Sequence, residues 1–236
     1  MNAPGDTRPL IRVGHKGADH VAPGNTAESF EAALELGVDM IEFDVMPLPD
    51  GTLVLAHDPR DAESRTPLTL EEGLEHFAAE AYADVELDVD LKIPGYEAAV
   101  VEGLRERGLL ERSLISSTYP ESLRLVRQLD PHVRRGWSVP RVRRDLRRHP
   151  VLKYVAYGAV AWWRAGLPTK AERALRRGEC EALMSHYVLV TRQLVQRVKD
   201  AGGQLYVWTV DDAAEIARLE ALGVDAVITN DPRLFG

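Results

Sequence analysis

The chain has 236 residues and a mass of 26.2 kDa, which is enough for one large hydrophobic core or two small ones. Hydrophobic side chains make up 45% and charged ones 28%, and this balance excludes a disordered, collagen-like or disulfide-stapled protein. The formal net charge of −8 argues against broad binding to nucleic acid or to an anionic membrane. The single cysteine, Cys180, cannot form an internal disulfide.

The amino-terminal region has no feature of a targeting signal. Neither a basic start nor an apolar run precedes His15. The longest apolar run, residues 155–163, contains Gly158 and is far shorter than the roughly 20 residues of a membrane span. The sequence therefore predicts a cytoplasmic protein without a transmembrane segment, and it leaves the oligomeric state open.

Short β-rich runs alternate with helical stretches along the chain. The predicted strands cover residues 10–13, 40–45, 85–93, 113–117, 133–139, 182–185, 205–210 and 226–229. This alternation favours a parallel sheet with helices outside it, and eight runs fit a (β/α)₈ TIM barrel, whose usual length is roughly 250 residues. A doubly wound open sheet is the alternative, although no glycine-rich phosphate motif follows the first run.

Helix boundaries are marked by capping residues. Three pairs have the spacing of a capping box, namely Asn25 with Glu28, Thr69 with Glu72, and Asp212 with Glu215. For Asn25, a place in the functional site is an equal alternative to a helix cap. Gly37 and Gly223 are predicted to end the first and the last of these helices. Further helices are predicted over residues 97–107, 121–129 and 192–201.

The segment 141–178 fits this alternation least well. Five of its first eight residues are arginine, and Trp162 and Trp163 follow. We interpret it as one long excursion between the fifth and sixth predicted strands, with a solvated basic helix and a packed aromatic pair. A contact with phosphates or with a lipid surface is the alternative, because clustered arginine beside paired tryptophan suits an interface.

Two predicted strands carry carboxylates at alternate positions. Glu42 and Asp44 lie on one face of the second run, because successive side chains of a strand point to opposite faces. Asp88, Asp90 and Lys92 repeat this pattern in the third run. Neighbouring carboxylates in a partly desolvated site repel each other, so oxygen ligands from two strands predict a bound Mg²⁺ or Ca²⁺. Structural ion pairs, for example Asp90 with Lys92, are the alternative.

Two histidines lie near these carboxylates in the predicted barrel. His15 ends the first strand, and His57 follows residues 52–56. A pair of imidazoles can serve as general base and general acid, since imidazole titrates near a pH of about 6.5. Lys16 and Lys92 would supply positive charge to a phosphoryl group. The alternative for Lys16 is an ion pair with a nearby carboxylate such as Asp19, at the rim of the site. The residues alone predict metal-assisted hydrolysis or transfer at phosphate and do not name the substrate.

Two further residues are candidates for the wall of the pocket. His186 and Trp208 lie near the ends of the sixth and seventh predicted strands, where side chains of a TIM barrel face the active site. Packing in the core is the alternative for each of them. Ser116 and Ser117 have no neighbouring histidine in the sequence, so no serine nucleophile is predicted.

The order of these motifs resembles the glycerophosphodiester phosphodiesterase family. The matching stretches are His15-Lys16-Gly17, residues 22–30, residues 37–45, Asp50-Gly51 and His57-Asp58. Residues 67–74, 116–123, 207–210 and 223–232 also look like segments of that family. The resemblance therefore covers nearly the whole chain.

The resemblance implies one TIM-barrel domain over residues 1–236 that hydrolyses glycerophosphodiesters to glycerol phosphate and an alcohol. The implied roles are acid/base catalysis for His15 and His57, metal binding for Glu42, Asp44 and Asp90, and contact with the substrate phosphate for Lys92 and Lys16. One divalent cation would polarise the phosphate, and a neighbouring glycerol hydroxyl would attack to give a cyclic phosphate that water then opens.

The chain departs from the family pattern at three positions. Lys16 replaces the usual arginine, Gly24 a glutamate, and Asp90 a glutamate. In addition, residues 58–89 leave only 32 residues between His57 and Asp90, too few for the insertion domain of many members. The short cap also resembles the related phospholipase-D toxins, which act on choline phospholipids. A lipid phosphodiesterase is thus one alternative, and a barrel that binds phosphate compounds without turnover is another.

Overall fold

Parallel strands close into a barrel in this computed structural model, which describes residues 9–140 and 152–236. Within the second range, residues 152–157 and 159 are described by their backbone alone. The strands within these ranges are β1 (Ile11–Gly14), β2 (Met40–Pro47), β3 (Leu53–Leu55), β4 (Glu86–Leu91), β5 (Ser113–Ser117), β6 (Arg134–Val139), β7 (Ala182–His186), β8 (Gln204–Trp208) and β9 (Ala226–Thr229). All except β3 are parallel to their neighbours, and β1 pairs with both β2 and β9. The predicted (β/α)₈ barrel is confirmed.

Helices lie between the strands in sequence. Those of the described ranges are α1 (Ala27–Glu35), α2 (Pro59–Ser64), α3 (Leu70–Phe77), α4 (Glu97–Glu106), α5 (Pro120–Leu129), α6 (Leu152–Arg176), α7 (Arg192–Asp200) and α8 (Ala213–Leu222). Large apolar clusters fill the space between these helices and the outer side of the barrel wall. None of the helices described here is long and apolar enough to cross a bilayer.

One strand and one helix were not expected from the sequence. β3 is antiparallel to β2, with Leu55 opposite Val45, and α2 follows it directly. β3 has only three residues, too few for an alternating pattern to be visible in the sequence. It is nevertheless important for the site, because it ends two residues before His57.

Strand boundaries differ from the predicted ones by at most two residues. The third predicted strand extended to Ile93, but β4 ends at Leu91. Beyond this point the Lys92 N–H donates to the Tyr96 hydroxyl, and the same hydroxyl donates to the carbonyl of Val45. The side chain of Tyr96 thus takes part in the hydrogen bonding where the strand ladder stops.

The interior of the barrel has an apolar layer beneath a polar one. Its apolar cluster contains Val13, Met40, Leu114, Ala182, Met184, Tyr206, Ala226 and Ile228. Two residues further along several of the same strands, the inward positions are polar: His15 follows Val13, and Glu42 follows Met40. Since the strands are parallel, this polar layer lies at one end of the barrel, at the carboxyl ends of the strands.

Two of the three predicted helix starts are confirmed, and one is wrong. Thr69 forms a complete capping box with Glu72, and Asp212 accepts a hydrogen bond from the Glu215 N–H. The first helix, however, is capped by Thr26 and not by Asn25. Adjacent residues of cap-forming type make this choice ambiguous in the sequence.

The arginine-rich start of the long excursion, residues 141–148, lies outside the described residues. The remainder is mostly α6, whose Trp162 and Trp163 rings meet edge to face with centroids 6.0 Å apart. Trp163 is partly buried against the outer core, whereas 65% of Trp162 is exposed. The predicted aromatic pair is present, but only one of its members packs on the core.

We expect Thr69→Ala to lower the free energy of unfolding by about 0.5–2 kcal/mol, because the change removes the capping side chain of α3. Urea denaturation measures this loss. Thr169→Ala is the matched control, since Thr169 is an exposed threonine within α6. An equal loss in both variants would show that the cap contributes nothing of its own.

Candidate active site

A pocket of about 440 Å³ opens at the carboxyl ends of the strands. It is lined by six of the nine residues predicted for the site: His15, Glu42, His57, Asp90, Lys92 and Trp208. Asp44 is fully buried next to it. Lys16 and His186 do not line the pocket.

The three predicted metal ligands converge on one point. One oxygen each of Glu42, Asp44 and Asp90 lies within 4.8 Å of the others. The pairing of β2 with β4 sets this geometry, because it places Asp44 directly opposite Asp90. Three carboxylate oxygens in a largely buried position fit a hard divalent cation such as Mg²⁺ or Ca²⁺.

Lys92 is the cation that faces these carboxylates among the described residues. Its Nζ contacts Asp44 Oδ1 and lies 2.5 Å from Asp90 Oδ2. Burial alone would raise the pKa of Asp44, but the charges of Lys92, His57 and His15 hold it below its usual value. The pKa of Lys92 is raised well above its usual value, since its carboxylate neighbours outweigh the effect of burial.

Glu42 behaves differently from Asp44. Burial, together with the negative charge of Asp44, raises the pKa of Glu42 well above its usual value. One ammonium group therefore does not balance the three carboxylates. A divalent cation would favour the ionised form of Glu42, and its binding would release a proton.

Asn25 holds Asp44 in place from the other side. Its Nδ2 donates to Asp44 Oδ2 at 2.9 Å, and its Oδ1 accepts from the Asp44 N–H at 3.0 Å. Asn25 is fully buried and has a left-handed backbone with φ of 59°, a conformation that asparagine tolerates better than most residues. The sequence left Asn25 open between a helix cap and a site residue, and these two hydrogen bonds place it beside the acidic triad.

His15 is oriented by a chain of hydrogen bonds. The Asn230 Nδ2 donates to Asp211 Oδ2 at 2.7 Å, so its Oδ1 faces His15 Nδ1 at 2.5 Å as an acceptor. In the neutral imidazole the proton is then on Nδ1, and Nε2 faces Glu42 Oε2 at 3.8 Å. Burial lowers the pKa of His15, which favours this neutral form.

Asn230 and Asp211 were not identified in the sequence. A signal was available, because both are polar residues just beyond the ends of adjacent strands, β9 and β8. Their pairing was not visible, since 19 residues separate them along the chain.

His57 is more accessible than His15. The side chain of His57 is 52% exposed, and its Nδ1 lies 3.6 Å from Asp58 Oδ2. Its backbone N–H donates to Asp61 Oδ2 in the first turn of α2. The short strand β3 and the cap of α2 thus hold this residue at the pocket.

Lys16 contacts the site through its backbone N–H and not through its side chain. Its N–H donates to Glu42 Oε2 at 2.8 Å, with φ of 52°, whereas its Nζ lies 2.5 Å from Asp19 Oδ2. The Gly24 N–H donates to the other oxygen of Asp19. A Cβ at position 24 would lie 2.5 Å from that carboxylate. The substitutions at positions 16 and 24 therefore belong to one local arrangement, and the phosphate contact of Lys16 stays a prediction.

The two predicted wall residues occupy different places. Trp208 lines the pocket, and the ring of His186 packs against it edge to face with centroids 5.1 Å apart. His186 also stacks on Tyr187, and its Nδ1 accepts the N–H of Val188. Trp208 therefore forms part of the pocket wall, and His186 packs behind it.

Asp88 is a further acidic group of the pocket. Burial raises the pKa of Asp88 to about 8, with smaller contributions from neighbouring charges. Burial thus disfavours a further negative charge next to the triad formed by Glu42, Asp44 and Asp90.

The molecule is a TIM barrel whose pocket brings two histidines next to three carboxylates that could hold a metal ion. The profile of the glycerophosphoryl diester phosphodiesterase family matches residues 15–66 and 62–234. A glycerophosphodiester phosphodiesterase of Caldanaerobacter subterraneus is 31% identical, with 93% of each chain covered. The chain therefore belongs to this family.

Solved structures show the same fold. A glycerophosphodiester phosphodiesterase of Agrobacterium tumefaciens has a TM-score of 0.71 at 20% identity, with 96% of this chain and 97% of that chain covered. A phosphodiesterase of Oleispira antarctica, in complex with the product sn-glycerol-3-phosphate, has a TM-score of 0.69 at 23% identity, with 95% and 94% covered. At such identities the likeness shows the fold alone.

We expect a divalent cation to stabilise the protein through the triad. At about 100 times its Kd, a bound ion adds about 2.7 kcal/mol to the free energy of unfolding. Asp44→Asn should lose this gain, since it removes a ligand charge. The gain is the difference between the free energies of unfolding measured by urea denaturation with Mg²⁺ or Ca²⁺ and with a chelator. Glu86→Gln, at the opposite end of β4, is the control. Equal stabilisation of both variants would place the ion elsewhere.

Proposed function

We propose that the protein hydrolyses glycerophosphodiesters to glycerol phosphate and an alcohol. The observation that carries this proposal is one pocket lined by His15, His57 and Lys92 beside three convergent carboxylates. Membership of the family supports it, as do the named activity of the Caldanaerobacter relative and the product bound to the Oleispira neighbour. A barrel that only binds phosphate compounds would not need both histidines.

Glu42, Asp44 and Asp90 would hold the metal, with Mg²⁺ or Ca²⁺ as the ion that an all-carboxylate set suits. When bound, the ion supplies positive charge that stabilises the phosphate oxygens. Asn25 keeps Asp44 turned toward this point through its two hydrogen bonds.

His15 is suited to be the general base. Its Nδ1–H is engaged by Asn230, so its Nε2 carries the free lone pair, and burial keeps the pKa of the imidazole low and the ring neutral. In the first step Nε2 takes the proton of the glycerol hydroxyl next to the phosphate. The hydroxyl oxygen forms a bond to phosphorus, which gives a cyclic phosphate when the alcohol leaves.

His57 is suited to be the general acid. It lies beside Asp58 at the open side of the pocket, where a charged imidazolium is solvated and can donate to the departing alcohol oxygen as the P–O bond breaks. In the second step water attacks the cyclic phosphate. His57, now neutral, takes the proton of this water, and His15 returns its proton to the ring oxygen.

Lys92 would contact the substrate phosphate. Its ammonium lies at the pocket wall between Asp44 and Asp90. Lys16 contributes its backbone N–H to Glu42, and its side chain would reach the phosphate only by leaving Asp19.

We expect His15→Ala and His57→Ala each to lower kcat by about 10²–10⁴-fold, the usual loss when a general acid or base is removed. The assay is hydrolysis of glycerophosphocholine with Mg²⁺ or Ca²⁺ present. His132→Ala is the control, since His132 is exposed, does not line the pocket and precedes the amino end of β6. Near-normal turnover in either variant would remove that histidine from the mechanism.

The same assay with lysophosphatidylcholine and bis-p-nitrophenyl phosphate separates the substrate classes. Faster turnover of the lipid than of glycerophosphocholine would indicate a lipid phosphodiesterase. Absence of turnover with all three substrates and both metals would contradict the proposed function.

The two lysines should differ in effect. Lys92→Met should lower kcat/KM by about 10–100-fold, because a charged hydrogen bond to phosphate is worth about 1.5–3 kcal/mol. Lys16→Met should cost less, and Lys16→Arg should keep the activity, since Lys16 does not line the pocket and its ammonium faces Asp19. Steady-state kinetics with one soluble phosphodiester tests this order. A larger loss for Lys16→Met would assign the phosphate contact to Lys16.

A further inference from the structure

A second cavity lies on the outer side of the barrel wall, between α5 and α6. It has a volume of about 420 Å³, within the roughly 300–1,000 Å³ of small-molecule sites. On β6, Ser138 lines the active-site pocket, and the residue before it, Trp137, lines this cavity. Because neighbouring side chains of a strand face opposite sides, the two spaces are separated by the wall of the barrel.

Part of the cavity wall is apolar. Leu123, Ala174 and Cys180 are buried there, and Trp137 covers a further area. Burial raises the pKa of the Cys180 thiol to about 12, so it stays uncharged. Such a wall favours a hydrocarbon group over water.

Three cations surround this apolar wall. They are Arg124 on α5, and Lys170 and Arg173 on α6. None of them forms an ion pair with a carboxylate of the described residues. The contact of Arg124 is a 3.4 Å hydrogen bond to the carbonyl of Pro120 in its own helix, and Lys170 Nζ lies 5.0 Å from the centroid of Trp162.

The acidic side chain that lines the cavity does not balance these charges. Glu179 is exposed, and its Oε1 lies 3.8 Å from Arg177 Nη1. Arg173 has no carboxylate partner among the described residues, whereas Arg176 of the same helix pairs with Glu172. A positive cluster is thus maintained in a chain of net charge −8.

We propose that this cavity binds a single-chain amphiphile whose anionic head group pairs with Arg124, Lys170 and Arg173 and whose hydrocarbon chain lies against Leu123 and Trp137. Guanidinium groups pair with phosphate or carboxylate in a planar, two-pronged geometry, which selects an anionic head group. The exposed Trp162 beside Lys170 extends the same face with an aromatic surface that suits the boundary between a lipid and water. The site is separate from the proposed active site.

The direct test is calorimetric titration of the whole chain with n-dodecyl phosphate below its micellar concentration. We expect binding of one molecule, and laurate in a second titration reports whether a carboxylate head group is also accepted. Inorganic phosphate and dodecyl maltoside should bind far more weakly, since each has only half of the recognised chemistry. Occupancy should also slow the labelling of Cys180, the chain's single cysteine, by methyl methanethiosulfonate.

Arg173→Glu should weaken binding by at least about tenfold, because it replaces a charged donor with a repelling acid. Arg192→Glu is the matched control, an exposed arginine at the start of α7 outside the cavity. Ala174→Trp fills the cavity and should also prevent binding. If that variant fails to fold, the surface change at Arg173 still decides the matter.

Several results would overturn the proposal: equal binding of dodecyl maltoside, unchanged binding by Arg173→Glu, or binding that leaves the labelling of Cys180 unaffected. Dimerisation that protects Cys180 without any amphiphile would assign this face to a second copy of the chain. Arg173→Glu should hydrolyse glycerophosphocholine at the normal rate. A failure of the proposed hydrolysis in the unaltered protein is therefore distinguishable from a failure of this site.

Discussion

The convergence of three carboxylates within 4.8 Å of one another, two of them buried and Asp90 partly buried, is the constraint on which the rest of the site depends. Like charges at this separation repel strongly where water is excluded. Three hydrogen-bond donors stabilise these carboxylates: the Lys92 ammonium, the Asn25 amide and the Lys16 backbone N–H. Lys16 and Asn25 both have left-handed backbones, a conformation that costs about 1–3 kcal/mol for a residue other than glycine. This strain is offset because it turns donors toward buried negative charge.

The layered interior of the barrel makes this burial tolerable. Apolar side chains such as Met40 and Ile228 fill the lower part, so the charged groups are confined to the end of the barrel that opens into the pocket. Parallel pairing brings all the strand ends to that side. Residues as distant in sequence as His15 and Asn230 therefore meet, and the two histidines, the acidic triad and Lys92 lie at the same end of the barrel.

Much of the fold was predictable, because it depends on local and periodic signals. The alternation in Met40–Pro47 and Glu86–Leu91 identified the face that carries Glu42, Asp44 and Asp90, and the ends of the helices at Thr69 and Gly223 were marked by their capping residues. β3 and the role of Asn25 were not predictable in this way. A three-residue strand shows no period, and the amide of Asn25 serves a carboxylate 19 residues away instead of the helix beside it.

The sequence by itself determined the class of fold and the identity of the carboxylates and histidines, since strand periodicity and motif order are properties of the chain alone. Only the tertiary structure decided which partner each polar group takes. It decided between the alternatives for Lys16 in favour of Asp19, gave His15 its tautomer through Asn230 and Asp211, and left the cations between α5 and α6 without carboxylate partners among the described residues. The reason is physical: a hydrogen bond or an ion pair depends on distances of about 3 Å between atoms, and for partners far apart along the chain, such as His15 and Asn230, no sequence spacing encodes those distances.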